Sequence, residues 1–375
     1  MNENITYSTT SNVKQAALDI KKDFNNLDNK VILYFCSSSY NQELLSYHMK
    51  KSFPGVKTIG CSTAGEITTK KALNQSIVAM AFDEKIIKNF KIEVIENINI
   101  KSNEKIIKAL DKMGAYFKED MINADDNDYV GITLVDGLSH SSDNVIKSLS
   151  FNCSPVFIGG AAGDDLNFKD TYIHYNGKVY NNSALLFLMK PRMKFDFIKH
   201  SSFEKTDKKL LCTNSVSRGR VVNQFNHKPA AIAYADAIGC KLENLEDHFR
   251  SHPLGVIANG EPFVKSPKKH IKSNNSIEFF AAIDENKEFN ILKPTNNLQK
   301  TKSKIENLKT ELNRVRKPKI QIVFNCSKIA EQNKDNNNTE EYAKIFNTPT
   351  IGFNTYGEEF LTHINQTLLM LIFGE

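Results

Sequence analysis

Apolar and polar residues follow two different periods along this chain, and the same order of periods comes round three times. A continuous apolar run, Val31–Phe35, is followed by a helical stretch, Asn41–Phe53, and then by a second short apolar run, Val56–Ile59. Tyr129–Val135, Asp143–Ser150 and the run opening at Val156 repeat that order, as do Ile320–Phe324, Thr339–Phe346 and the run opening at Thr350. Strands that are apolar on both faces must be covered on both. Each set is closed, at a variable distance, by another apolar strand: Ile77–Phe82, Ala184–Met189 and Thr367–Phe373. Strand, helix, strand at this spacing predicts a parallel βαβ unit with a right-handed crossover, the closing strand returning antiparallel.

Every second strand follows a proline (Pro54, Pro155, Pro349) and leads into a glycine-bounded segment that ends in an acid. The first is Gly60-Cys61-Ser62-Thr63-Ala64-Gly65-Glu66. The second, one residue shorter, runs through Gly159, Gly160, Ala161 and Gly163 to Asp164 and Asp165. The third runs from Gly352 through Thr355, Tyr356 and Gly357 to Glu358 and Glu359. These segments are expected to be turns, their glycines permitting positive φ and close backbone approach. The recurrence of proline, strand, glycine and acid predicts internal duplication.

Between the repeats the pattern predicts a helix capped at Ser11 or Asn12, with Val13, Ala17, Ile20 and Phe24 on one face, and a strand at Phe90–Ile95. A helix opening at Asn103 places Ile106, Leu110, Met113 and Phe117 on one side. Asn176-Gly177 predicts a hairpin over Tyr172–Tyr180. Past Met189 the pattern changes, with strands at Phe195–His200 and Val216–Val222 and a solvated loop at Lys205–Lys209 between them. Pro229 opens a helix through Ile238. Ile277–Ile283 and Phe289–Leu292 read as one hairpin, Asn297–Arg316 as a helix with Ile305, Leu308, Leu312 and Val315 in a stripe, and Lys334–Thr339 as a mobile polar loop. The fold class is therefore α/β, with repeated β-α-β-turn-β units and mixed sheets. Two domains are expected, residues 1–210 with two repeats and 211–375 with the third.

Composition narrows the function classes. The 375 residues carry 49 Lys and Arg against 43 Asp and Glu, a net +6 too small to imply nucleic acid by charge alone. No apolar run is long enough to span a bilayer, and no basic-then-apolar leader opens the chain, which suits a cytoplasmic protein. The six cysteines form no CxxC, so neither a zinc site nor a disulfide framework is read. His248 and His252 are four apart, but Pro253 argues against a preorganised metal pair. No GxGxxG follows the first strand and no P-loop occurs.

Ligands of parallel α/β units bind beyond the carboxyl ends of the strands. There the loops Cys36–Ser39, Asp136–His140 and Asn325–Ser327 join the glycine segments. Backbone N–H groups in such segments favour an anion, and the neighbouring carboxylates favour a cation; together they suit a zwitterion. The candidate ligand contacts are Gly60, Cys61, Ser62, Thr63, Gly65 and Glu66; Gly160, Ala161, Gly163, Asp164 and Asp165; Thr355, Tyr356, Gly357 and Glu358; and Asn365. His363 and Asn365 are placed to pin the Glu358 turn. The competing reading makes Cys61 a thiol nucleophile with His140 or His48 as base.

GCSTAGEI at 60–67, GGAAGDD at 159–165, and GFNTYGEE followed by HINQTLLMLIF resemble the FIST N and FIST C domains, named for F-box and intracellular signal transduction proteins. The resemblance covers the chain from about residue 25 to its end. It implies a non-enzymatic sensory module of prokaryotic signalling that binds a small molecule such as an amino acid. Such a stand-alone sensor would signal through a separate protein: a histidine kinase, a cyclic-dinucleotide enzyme or a chemoreceptor. Some relatives are haem-binding nitric oxide sensors; no cofactor is expected here, because Ile67–Lys118 contains no histidine to serve as an axial ligand. The Gly-Glu and Asn-Gln-Thr elements of the family correspond to Gly357, Glu358, Asn365, Gln366 and Thr367. NCSKIA in the third repeat lacks the arginine that the family often places shortly after the cysteine.

Overall fold

The computed structural model describes residues 4–24, 28–295 and 298–375. It is a mixed α/β structure richer in strand than in helix, and the chain divides into two compact units. One runs to Lys199 and resumes over Lys302–Thr362 and Leu368–Glu375; the other comprises His200–Thr301 and His363–Thr367.

All three repeats lie in the first unit. The lead strands Asn29–Ser37, Val130–Val135 and Pro318–Cys326 pair in parallel with the second strands Lys57–Thr63, Val156–Ala161 and Thr350–Thr355. The closing strands Ile77–Asp83, Ser183–Pro191 and Leu368–Gly374 return antiparallel beside the lead strands, as the pattern predicts. Outside each closing strand lies one more: Ile5–Ser8, Ile87–Glu96 or Lys194–His200. Phe82, Phe187 and Phe373, one from each closing strand, meet edge to face, with ring centres 5.3 Å (Phe82–Phe187) and 6.5 Å (Phe82–Phe373) apart. All three are fully buried, and each contributes roughly 1.5–3 kcal/mol of burial. The helices cover the outer faces. Val13–Asp23, capped by the Asn12 side chain, lays Ala17 and Ile20 against the first sheet, and Ser102–Phe117 buries Ile106, Leu110 and Met113 against the second.

What joins the repeats is an exchange of short strands. Glu66–Thr68, from the first repeat, pairs with the second strand of the third. Glu358–Phe360, from the third, pairs with the second strand of the second. Ile173–Tyr175, from the second, pairs with the second strand of the first, closing the cycle. The last belongs to the predicted hairpin, whose Asn176 and Gly177 both take positive φ, 49° and 87°. Each repeat therefore caps one neighbour and is capped by the other, so all three fold as one core.

The glycine segments are mostly strand. Gly60, Cys61, Ser62 and Thr63 finish one strand, Gly160 and Ala161 another, and Thr355 a third, leaving tight turns only at Ala64-Gly65 and Tyr356-Gly357. Gly65 and Gly357 do take positive φ. Gly60 does not; its need is room. A Cβ there would lie 2.1 Å from the Tyr34 carbonyl oxygen, and at Gly159 and Gly352 it would lie 1.8 and 2.5 Å from those of Thr133 and Val323. The repeated glycine marks a close crossing of lead and second strands.

The second unit has its own core, with Phe225, Tyr234, Phe279 and Phe289 at its centre. Pro229 precedes the helix Ala230–Ile238, as predicted. Lys205–Lys209 is not a loop but part of the strand Phe203–Val216, which pairs with Glu288–Pro294. The predicted hairpin near Asp284 is likewise absent, because Ser276–Phe279 pairs instead with Pro267–Ile271 and Val221–Phe225. Alternation alone does not choose a strand's partner. The predicted helix from Asn297, a residue outside those described, is seen over Leu298–Thr310; Leu312 and Val315 lie beyond its end. Lys334 and Asp335 extend the helix Ser327–Asp335, and the next helix, Thr339–Ala343, is shorter than predicted.

Candidate functional site

The three strand exchanges use the same backbone bonds. Ala64 N donates to Asn354 O (3.0 Å) while Asn354 N donates to Gly65 O (2.8 Å). Tyr356 N donates to Ala161 O (3.0 Å) while Ala161 N donates to Gly357 O (2.8 Å). Gly163 N donates to Ser62 O (3.1 Å), and Ser62 N donates to Tyr172 O (3.0 Å), after a loop inserted between the two donors. Ala64, Tyr356 and Gly163 are thus counterparts, as are Asn354, Ala161 and Ser62.

At these joints the acids work as fasteners. Buried Glu66 bonds Thr63 through Oε1, and its Oε2 accepts from Ser76 N (3.2 Å) and Ser76 Oγ (2.6 Å). Burial pushes its carboxyl up to about 8, against the pull of those hydrogen bonds. Glu358 repeats the motif with Thr355, also fully buried. Asp164 accepts from Phe168 N (2.8 Å), Lys169 N (2.6 Å) and Asp170 N (3.1 Å), and from the Tyr356 hydroxyl, so it holds the inserted loop. Tyr356 stacks on Phe168, ring centres 4.9 Å apart. Cys61 is fully buried and burial drives its thiol well above the usual range, the reverse of an activated nucleophile. Asn365 lies in the second unit, where its N donates to Val264 O (3.0 Å) and its Oδ1 accepts from Ser266 N (3.1 Å).

A cavity of about 770 Å³ opens in the first unit at the carboxyl ends of two lead strands. Ser38 and Ser39 follow the first repeat's lead strand, and Asn325 and Ser327 end that of the third. Leu73, Asn74 and Gln75 come from the exchanged first-repeat segment, Leu166 and Asn167 from the inserted loop, and Tyr342 and Phe346 from beneath. Of the sixteen candidate contacts, Asp165 alone lines it. Its Oδ2 accepts from Ser37 Oγ (2.8 Å), Ser38 N (3.0 Å) and Ser38 Oγ (2.6 Å). Its Oδ1 accepts from no described residue.

Sequence reasoning missed a polar chain that also lines the cavity. Tyr342 donates to Asn325 Oδ1 (2.8 Å), Asn325 Nδ2 donates to Asn354 Oδ1 (2.8 Å), and Asn354 Nδ2 donates to Ala64 O (3.3 Å). Asn354 is 8% exposed. An amide nitrogen has two hydrogens, and the second on Asn354 meets no acceptor among the described residues.

Comparison with known proteins matches residues 30–228 to the FIST N domain and residues 230–360 to the FIST C domain. The chain belongs to the FIST family. FIST domains are sensory-type domains. The chain is also similar to the uncharacterised protein MJ1623 of Methanocaldococcus jannaschii, 23% identical over 244 residues. That match covers 61% of this chain and 47% of MJ1623, so the chain spans about half the length of this relative. No helix among the described residues of this FIST protein is long and apolar enough to cross a membrane. Among the described residues, no three His, Cys, Asp or Glu side chains are grouped to hold a metal ion.

Proposed function

We propose that this FIST protein is a sensor that binds a small zwitterion, such as an amino acid, in the cavity between its first and third repeats and reports occupancy to a separate signalling protein. The observation that carries this reading is the pair of open valences among the residues that line the cavity: Asp165 Oδ1 as acceptor, Asn354 Nδ2 as donor. An ammonium group suits the first and a carboxylate the second. Glu66, Asp164 and Glu358 are spent on the fold, which leaves Asp165 as the one of these four acids that lines the cavity, along with Glu331 and Asp335 of the neighbouring helix. The rival enzyme reading rests on Cys61, whose thiol is buried and protonated.

Thermal-shift screening over the twenty amino acids, short peptides, nucleotides and organic acids tests the reading. A compound at 100 times its Kd adds about 2.7 kcal/mol to stability. In Asp165→Asn the gain should fall, because breaking a buried charge pair costs roughly 2–5 kcal/mol of binding. A melting curve unmoved by every compound would refute the sensor reading; an unchanged gain in Asp165→Asn would refute the role of Asp165.

A further inference from the structure

The duplication supplies an internal control, because three joints built on the same backbone bonds differ in their side chains. Beside the exchanged strand, the lead-strand residues facing Asn354, Ala161 and Ser62 are Asn325, Val135 and Cys36. Two joints therefore carry small or apolar residues where the third carries a bonded pair of asparagines. A buried amide pair is costly unless satisfied, and the fold manages without one in two joints of three. The turn position differs in the opposite sense. At the third-to-second joint a Cβ added to Gly137 would lie 3.2 Å from the Tyr356 Cβ, and the Tyr356 ring stacks on Phe168 of the inserted loop. The corresponding lead-strand position at the open joint is Ser327, which lines the cavity, and the counterpart of Tyr356 there is Ala64.

We infer that Ala64 keeps the first-to-third joint open, that Asn325 and Asn354 make it selective for a ligand bearing a carbonyl or carboxylate oxygen, and that Tyr356 is the plug that closes the equivalent third-to-second joint. The inference rests on the proposed sensor reading for what enters the cavity, but not for the cavity being open. Ala64 is half-buried and lines the cavity, so bulk added there competes with what the cavity admits. A tyrosine at the equivalent position is already accommodated once in this fold.

The test is Ala64→Cys in a Cys240→Ser background, which removes the partly exposed native cysteine; the other five are buried. Methyl methanethiosulfonate should modify the new thiol at least tenfold faster than any native one. An Ala64→Cys thiol as inert as the buried cysteines overturns the inference whether or not any ligand is found. The melting shift that the amino-acid panel produces is read in the wild type and in Ala64→Cys before and after modification. The modified protein and Ala64→Tyr should lose it, with apo melting temperatures near that of the wild type as the control for folding. A panel that moves nothing in the wild type counts against the sensor reading and leaves the thiol rates to decide here. A shift retained at full size in both bulky forms overturns the role of residue 64. Asn354→Leu should abolish the shift from compounds with a carboxylate or carbonyl, and retention of that shift overturns the selectivity assigned to the amide pair.

Discussion

Glu66 should make this protein less stable as pH rises, and a glutamine in its place should remove the effect. Thr63 Oγ1 has one hydrogen, yet it lies within bonding distance of both the Cys36 carbonyl oxygen (3.2 Å) and Glu66 Oε1. If Thr63 donates to the carbonyl, Glu66 must donate to Thr63 and is therefore protonated. Its other oxygen then accepts from both the N–H and the hydroxyl of Ser76. Every bond in the cluster is satisfied by the neutral acid, in accord with burial raising its carboxyl from 4.5 to about 8.

The sign follows from linkage. Between pH 4.5 and about 8 the folded chain keeps a proton here that the unfolded chain gives up. Stability from Glu66 is thus fully present below the lower value and is lost as pH rises through the upper one. The slope is at most about 1.4 kcal/mol per pH unit, a total of roughly 3–5 kcal/mol across the interval. Glu66→Gln keeps the shape and the bonding pattern: its amide N–H replaces the acid hydrogen, and its oxygen still accepts from Ser76. Urea melts of the two proteins at half-unit steps from pH 5 to 8.5 would cancel titrations common to both. The variant should match the wild type near pH 5 and exceed it by several kcal/mol at pH 8. Parallel curves, or a variant weaker at pH 8 than at pH 5 relative to the wild type, would refute the neutral-acid account.

Three further outcomes follow from the same geometry. Gly60→Ala and Gly159→Ala place a Cβ against a carbonyl oxygen, and since overpacking a core costs about 1–3 kcal/mol and here the obstacle is backbone, both should lose at least that in urea melts. Asp164→Ala strands three backbone N–H groups and the Tyr356 hydroxyl; it should lower stability by about 2–4 kcal/mol and speed proteolytic cleavage within 165–170. Protein purified with haem supplied should show no Soret band near one equivalent, because no histidine lines the cavity among the described residues and Tyr342 spends its hydroxyl on Asn325.

The repeats were legible because they are written in short-range signals: apolar runs, a preceding proline, a glycine and an acid at fixed offsets. Strand pairing within each repeat followed from the βαβ rule, and the antiparallel return of each closing strand did as well. The exchange of strands between repeats was not legible. Glu66–Thr68 is three residues long, and its partner lies near residue 352, far along the chain. A segment that short carries no pattern able to name its partner. Of the two properties expected of the glycines, Gly65 and Gly357 use positive φ, and Gly60 uses close approach, in a strand rather than in a turn. The acids did mislead. Carboxylates beside glycine turns suggest ligand contacts when read singly, whereas Glu66 and Glu358 each sit three residues after a threonine that bonds them. That Thr-x-x-Glu spacing was visible in two of the three copies, and a motif shared by copies is more economically structural than functional.

The opposite logic locates the site. Function in a duplicated fold should reside where the copies disagree, because agreement is what the shared architecture requires of all of them. Aligned on their glycines, the copies place Ser62, Ala161 and Asn354 together, and Ala64 against Tyr356. One copy has traded a small residue for an amide, and one joint has kept an alanine where its counterpart carries a large ring. Neither change helps the fold: the amide is held by a second amide and a buried tyrosine, and the alanine leaves its part of the wall of a cavity of about 770 Å³ bare where its counterpart carries a ring. Empty space lined by atoms forfeits dispersion contacts, so a fold selected only for stability would have closed all three joints alike. The third-to-second joint carries Tyr356 and the second-to-first the loop that Asp164 holds, while the first-to-third is lined by polar groups. A cavity with a donor and an acceptor unspent among its lining residues is better explained by what it admits than by what it supports.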